Sequence, residues 1–123
     1  MTQWKRGDSF FLNVQNSHLY FLIHTPHDGQ VVVVNFTTLR ERIDPPFVVE
    51  PSEHPFLRAQ STIAISRALI WPIQKLELAE QSGLLKRDIP VTTNITSKAL
   101  ESVKNSSLVE HEVRNFLSNV GPP

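Results

Sequence analysis

The sequence predicts a mainly β domain followed by C-terminal α-helices. Short runs rich in Val, Ile, Phe and Tyr recur at close spacing through the first two thirds of the chain. Turn signals such as Asp28-Gly29 separate these runs. Near the end of the chain the apolar residues change to the spacing of an amphipathic helix. Short strands joined by tight turns favour a small barrel or sandwich.

Three strands are expected in the first part of the chain, at Ser9–Val14, His18–His24 and Gln30–Phe36. Their aromatic and β-branched side chains suit a pleated, half-buried surface. Asp28-Gly29 predicts a hairpin between the second and third strands, because Gly tolerates a positive φ. The four valines Val31–Val34 predict a strand covered on both faces, and therefore a central one.

The middle of the chain predicts short strands between proline-containing loops, because proline cannot continue a hydrogen-bonded ladder. One strand is expected at Phe47–Glu50. A second is expected at Ser61–Arg67, where polar and apolar residues alternate. Ala68–Glu80 is compatible either with strand through Trp71 and a helical turn after Pro72, or with helix.

After Gly83 the composition changes, which divides the chain into a barrel at residues 1–83 and a helical extension at 84–123 packed on the same domain. Leu84–Asn94 resembles connecting chain, and Thr96–Lys104 predicts a helix. Ser107 to Glu110 fits a capping box. A further helix is predicted by apolar residues at helical spacing, which are Val109, Val113, Phe116, Leu117 and Val120.

Composition limits the function classes. The 12 basic and 12 acidic residues give a formal net charge of zero. A dedicated high-affinity nucleic-acid binder would normally be basic, although a local basic patch remains compatible. Absence of cysteine excludes disulfides, thiol nucleophiles and zinc–thiolate sites. The N-terminal residues lack the apolar core of a signal peptide, and no apolar run is long enough to span a bilayer. We therefore expect a cytoplasmic protein without membrane contact.

Three segments carry a family resemblance. The first, Lys5 to Phe11, is a basic pair followed by Gly-Asp and an apolar run. The second, His18 to Ile23, is the predicted second strand. The third, Val32 to Thr38, is an apolar run that ends in Asn-Phe-Thr-Thr. Together they resemble the PemK/MazF family of toxin ribonucleases, with looser similarity as far as Trp71. The resemblance implies a small SH3-like β-barrel and cleavage of single-stranded RNA without a metal or other cofactor.

The resemblance also implies catalytic residues. Thr37 matches the family Thr implicated in RNA cleavage, and His18 stands where the family has Arg. Arginine is a permanent cation, whereas histidine titrates near neutrality and transfers protons. His18 is therefore predicted to act on the 2′-hydroxyl or the leaving 5′-oxygen, with His54 in the complementary role. Pro55 biases His54 towards an extended conformation, and Phe56 is expected to anchor its loop.

Further residues are candidates for RNA phosphate binding. They comprise two hydroxyls and two guanidinium groups, which are Thr38, Ser61, Arg40 and Arg58. Simpler interpretations stay open. The charges can form a solvated rim answered by neighbouring acids, and His54 can hold its loop by hydrogen bonds to the backbone. The hairpin residues His24, His27 and Asp28 lack the further ligands that a metal site needs, so an exposed polar turn is expected there.

Two functional hypotheses follow. In the first, the protein is a metal-independent endoribonuclease of a toxin–antitoxin system, with an antitoxin partner and a possible homodimer. In the second, the barrel has lost the catalytic Arg and binds protein or RNA in a bacterial or phage regulatory or defence system. Convergence of His18, Thr37 and His54 on one site would favour the first hypothesis.

Overall fold

A computed structural model describes residues 3–12, 18–39 and 46–120. These ranges contain an antiparallel sheet and three α-helices. The strands are β1 (Ser9–Leu12), β2 (Tyr20–Leu22), β3 (Gln30–Thr38), β4 (Ser61–Ile63), β5 (Leu69–Pro72) and β6 (Leu85–Asp88). The helices are α1 (Ile73–Gln81), α2 (Thr93–Asn105) and α3 (His111–Asn119), with short 3₁₀ turns at Pro51–Glu53 and Ile65–Arg67.

Strand β3 is the centre of the sheet. It pairs with β2 through residues 33–35, with β5 through residues 30–33 and with β4 through residues 36–38. The strand order is β4-β3-β2-β1-β6, with β5 pairing β3 off this path. Within the described ranges β6 pairs only with β1, so the sheet is not closed into a barrel. The predicted β-rich body with C-terminal helices is confirmed, whereas the closed barrel is not.

The valine run of β3 separates two hydrophobic cores. Val32 and Val34 belong to the larger core, which α2 and α3 cover. Val31 and Val33 belong to a smaller core on the opposite face, beneath α1. All four valines are buried, so the predicted central strand with two covered faces is confirmed. The smaller core also contains Trp4, Phe10, Leu22, Leu76 and Leu85.

The C-terminal helices close the larger core. Helix α2 begins after Thr92, whose Oγ1 accepts a hydrogen bond from the Ile95 N–H. The helix predicted at residues 96–104 is thus confirmed with a slightly earlier start. Val109, Val113 and Leu117 are buried in the core, as their helical spacing predicts.

Several local predictions are wrong. The chain after Gly83 forms β6, which pairs with all four residues of β1. The predicted strand at Phe47–Glu50 is reduced to one bridge between Val49 and Ser61. Ser107 does not cap a helix with Glu110, because α3 begins only at His111 and has no side-chain cap. The undecided segment after Ala68 is strand β5 followed by α1.

An ion-pair cluster fastens β6 to the N-terminal segment. The Arg87 guanidinium donates to Glu80 through Nε at 2.8 Å and Nη2 at 3.3 Å, and Nη1 lies 3.4 Å from Asp8 Oδ2. The same guanidinium lies 3.7 Å from the centre of the Trp4 ring. Arg87 stacks on one ring and makes a bidentate contact with Glu80, so it joins β6, α1 and the segment just before β1 at one point.

None of the helices within the described ranges is both long and apolar enough to cross a bilayer.

Candidate functional site

A cavity of about 390 Å³ lies where strand β3 ends. Residues from four separate stretches of the chain line it. Thr37 and Thr38 end β3, Ser61 begins β4, and the loop at 56–59 and His18 complete the wall. The predicted candidates His18, Thr37, Thr38, Arg58 and Ser61 therefore share one cavity, together with the apolar side chains of Phe36, Phe56, Leu57 and Ala59.

Backbone pairing and apolar anchors hold the wall of the cavity. Thr38 pairs with Ser61, and the Leu39 N–H donates to the Gln60 carbonyl at 3.1 Å. The Phe56 ring packs on Phe11 with centroids 5.2 Å apart. Leu57 is buried, and its N–H donates to the His54 carbonyl at 3.1 Å. The loop that carries Arg58 is thus fixed on both sides of that residue.

Arg58 gives the cavity a positive charge that no acidic side chain of the described residues pairs with. Its side chain is exposed, and no carboxylate of the described residues lies within ion-pairing distance of it. The nearby acids are engaged elsewhere: Glu50 accepts from Gln60 Nε2 at 3.0 Å, and Glu53 accepts from the Glu50 N–H at 2.8 Å. No Asp or Glu of the described chain lines the cavity. Glu50 and Glu53 therefore do not form ion pairs with Arg58, and Glu41 and Asp44, the other acids expected to answer the rim charges, lie outside the described residues.

The loop backbone adds further donors. In the described part of the chain, the N–H groups of Arg58 and Ala59 have no hydrogen-bond partner. Two free amides beside a guanidinium form a set of donors that suits an anion.

The hydroxyl groups of the cavity differ in what they can offer. Thr37 is half-buried and Thr38 is exposed, and neither hydroxyl bonds to another group of the described chain. Ser61 is buried, and its Oγ donates to the Ala59 carbonyl at 3.0 Å. The threonine hydroxyls can therefore donate to a ligand oxygen, whereas the hydroxyl hydrogen of Ser61 is already in a hydrogen bond.

His18 has one ring nitrogen near a neighbour. Its Nδ1 lies 3.5 Å from Asn35 Nδ2, and that amide also donates to the Phe36 carbonyl at 3.0 Å. A contact of 3.5 Å is too weak to hold the imidazole in one tautomer. Nε2 has no partner among the described residues. His18 therefore presents one nitrogen able to exchange a hydrogen bond or a proton with a ligand.

His54 is arranged differently. It is 2% exposed and is absent from the described lining of the cavity. Its Nε2 lies 2.8 Å from the Ile89 carbonyl, and its Nδ1 lies 3.1 Å from the Phe56 nitrogen. A carbonyl only accepts and an amide only donates, so these partners assign the neutral ring with hydrogen on Nε2. Neither nitrogen is open to a substrate, and the acid/base role predicted for His54 has no support in this geometry.

The remaining candidates lie outside the cavity or outside the described residues. Arg40 lies outside the described residues. At the hairpin tip, the His24 Nδ1–H donates to the Thr25 carbonyl at 2.8 Å, and His27 lies 3.5 Å from Asp28. Within the described ranges, no three His, Cys, Asp or Glu side chains form a group that could hold a metal ion.

Two neighbours of the site were missed from the sequence. Asn35 is buried beside His18, and Tyr20 contacts the His18 ring edge to face at 6.3 Å. Asn35 precedes Thr37 by two positions, so both side chains lie on one face of β3. This spacing of two residues along a strand was the sequence feature that could have placed Asn35 beside the site.

No protein-family model matches the chain, and no curated protein matches it with significant similarity.

Proposed function

We propose that the cavity binds a phosphodiester of single-stranded RNA in a cytoplasmic, PemK/MazF-like protein. One observation carries this proposal: His18, the pair Thr37 and Thr38, and Arg58 come from three separate stretches of the sequence and line one cavity, whose described lining has no carboxylate. Cationic and hydroxyl donors without a competing anion are the groups that recognise a phosphate. The zero net charge of the chain is compatible, because the positive field is local.

The contacts divide between charge and hydrogen bonding. The Arg58 guanidinium makes a two-pronged contact with the phosphate oxygens, and the free N–H groups of Arg58 and Ala59 donate to the same group. Thr37 donates its hydroxyl hydrogen from the face of β3 that carries Asn35, and Thr38 donates from the opposite face at the end of the strand. Phe56 and Leu57 provide an apolar wall beside the sugar.

The fold proposal is a divergent SH3-like barrel whose strands have opened between β6 and β4. The likeness of three N-terminal segments to the PemK/MazF family supports it. So does the long strand β3, which pairs with three neighbours along its length. In a toxin–antitoxin setting the antitoxin would cover the cavity, and a homodimer would present two cavities.

Metal-independent cleavage of the bound RNA is the second candidate, and it is favoured by the Nε2 of His18, which has no hydrogen-bond partner among the described residues. Nε2 accepts the proton of the 2′-hydroxyl as the O2′–P bond forms, while Arg58 stabilises the negative charge on the non-bridging phosphate oxygens. The P–O5′ bond breaks, and His18 returns the proton to the leaving 5′-oxygen. The products are a 2′,3′-cyclic phosphate and a 5′-hydroxyl end. Binding without cleavage is the binding-module hypothesis.

Fluorescence anisotropy of a labelled oligouridylate in EDTA tests the binding proposal. We expect saturable binding by the wild-type protein, weakened about tenfold or more by Arg58→Ala and less by Thr37→Val. Arg67→Ala is the matched control, because Arg67 is exposed and is not among the described lining residues. Absence of saturable binding at low salt, or equal losses in both arginine variants, would overturn the proposal.

Mass analysis of RNA incubated in EDTA tests the cleavage candidate. We expect 2′,3′-cyclic phosphate ends with wild-type protein and none with His18→Asn, while RNA affinity changes little. Intact RNA in the wild-type reaction, with binding retained, would select the binding-module function. Cleavage by both proteins would exclude His18 as the group that transfers the proton.

A further inference from the structure

A row of aromatic rings leads away from the cavity along the face of the sheet that carries the smaller core. His18 contacts Tyr20 with ring centroids 6.3 Å apart, and Tyr20 contacts Trp71 at 6.1 Å. Lys75 Nζ lies 5.3 Å from the centre of the Trp71 ring. The row therefore starts at a lining residue of the cavity and ends at a lysine on α1.

The sheet register explains how residues distant in sequence form this row. Tyr20 on β2 is paired with Asn35 of β3, and Trp71 on β5 is paired with Val31 of the same strand. Strands β2 and β5 both pair with Val33, so they lie on opposite edges of β3. The Tyr20–Trp71 contact thus crosses the central strand.

A buried ring holds both aromatic side chains in place. Phe10 is fully buried and stacks on Tyr20 with centroids 5.6 Å apart and planes inclined by 16°. The same ring contacts Trp71 at 6.2 Å. Tyr20 and Trp71 are themselves only partly buried. Phe10 holds the rings of Tyr20 and Trp71 in place while part of each ring stays accessible. Stacking a base on them would therefore cost little side-chain entropy.

The end of the row is cationic. Lys75 is exposed, and in the described residues no carboxylate lies within ion-pairing distance of its ammonium group. Single-stranded nucleic acid is recognised by aromatic rings that stack with bases beside cations that contact the backbone. Arg58 at one end and Lys75 at the other provide cations on either side of two rings.

We propose that Tyr20 and Trp71 form a stacking platform for bases of a single RNA strand that continues from the phosphate in the cavity, with Lys75 contacting a further phosphate. The platform rests on the proposed function, because it extends the same bound strand. It makes recognition depend on strand length: a dinucleotide reaches from the cavity no farther than Tyr20, whereas a hexanucleotide also reaches Trp71.

Trp71 itself reports on the platform. The chain has two tryptophans, so Trp4→Phe leaves Trp71 as the only indole while keeping an aromatic ring beneath Arg87. In this background we expect hexauridylate to quench the fluorescence and diuridylate to quench it little. Affinity for hexauridylate, measured by anisotropy, should fall about tenfold in Trp71→Leu and stay near wild type in Trp71→Phe. Lys75→Ala should also weaken it, whereas Lys104→Ala, at the far end of α2, should not.

The two proposals fail in different ways. If hexauridylate binds in an Arg58-dependent manner but neither quenches Trp71 nor responds to Trp71→Leu, the platform is wrong and the phosphate cavity stands. If no RNA binds at all, both proposals fail. Circular dichroism of Trp71→Leu checks that a loss of affinity does not come from unfolding, and Lys75→Ala, an exposed substitution, decides the matter where Trp71→Leu is unfolded.

Discussion

The Nε2 of His54 donates a hydrogen bond of 2.8 Å to the carbonyl of Ile89, a residue 35 positions later in the chain. Ser9 Oγ donates to the same carbonyl at 2.6 Å. One oxygen just after β6 therefore joins the loop before β4 to strand β1. The interpretation in which His54 holds its loop through the backbone agrees with this geometry, and the loop it holds carries Arg58.

We predict that His54→Ala destabilises the protein more than it affects RNA chemistry. It leaves the partly buried Phe56 N–H without its acceptor and opens a cavity in place of a buried imidazole, so we expect a loss of about 2–4 kcal/mol of unfolding free energy. Urea denaturation measures the loss, and His111→Ala, an exposed histidine on α3, is the control. A His54→Ala protein with wild-type stability and no ribonuclease activity would restore a catalytic role for His54.

We predict that Gly7→Ala is more destabilising than Gly83→Ala. Both glycines have positive φ, at 92° and 83°, so both substitutions carry the left-handed strain of about 1 kcal/mol. A Cβ added at Gly7 would lie 2.9 Å from the Val91 carbonyl oxygen, whereas a Cβ added at Gly83 would have no described atom within 4 Å. We expect a total loss of about 2–4 kcal/mol for Gly7→Ala. Equal denaturation midpoints for the two variants would show that the backbone at Val91 yields freely.

We predict that Arg87→Met loosens the junction of β1, β6 and α1. The substitution removes the stacking on Trp4 and leaves Asp8, which is 6% exposed, without its guanidinium partner. We expect a loss of about 2–4 kcal/mol by thermal or urea unfolding, because a nearly buried carboxylate that keeps the Lys5 N–H but loses its ionic partner is costly. Lys86→Met is the matched control, since Lys86 is the preceding residue of β6 and is exposed. Similar losses in both variants would contradict the assignment.

We predict that Arg58 accounts for one phosphate contact in the salt dependence of RNA binding. Release of counterions makes the logarithm of the binding constant fall linearly with the logarithm of salt concentration. Arg58→Ala should reduce that slope by about 0.7, the value for one contact with a single strand. Anisotropy titrations at several salt concentrations measure it. A variant that is weaker at every salt concentration with an unchanged slope would indicate a structural effect rather than a lost ionic contact.

Local pattern was sufficient for much of the fold. The valine run identified β3 as central because four consecutive β-branched residues exceed what one buried face can use. Helical spacing of apolar residues located α2 and the buried side of α3, because an amphipathic helix packs with its apolar face on the core. Both signals are contained in contiguous residues.

The failures involved partners that are distant in the sequence. Strand β6 reads Leu-Lys-Arg-Asp, which has one apolar residue and no alternation. It is a strand because the exposed edge of β1 offers it a complete ladder, and because Arg87 finds Glu80, Asp8 and Trp4 there. The local sequence of β6 cannot indicate that a strand near residue 10 has an unpaired edge to which it can bind.

The candidate site divides in the same way. Thr37, Thr38 and Arg58 were predicted as candidates from residue type and position. The structure places them at one cavity because β3 and β4 pair directly. The neighbour Tyr20 and the ring row to Trp71 were not, because they depend on which strands lie on either edge of β3.

The sequence by itself determined the central strand, the helical stripe and the set of polar residues available for binding, since each follows from periodicity or chemical type over a few adjacent positions. Only the tertiary structure decided that one nitrogen of His18 has no partner among the described residues while both nitrogens of His54 are bonded, and that β6 lies at the edge of the described sheet. The physical reason is that a hydrogen bond between residues 35 positions apart depends on where the backbone returns, which no local pattern encodes.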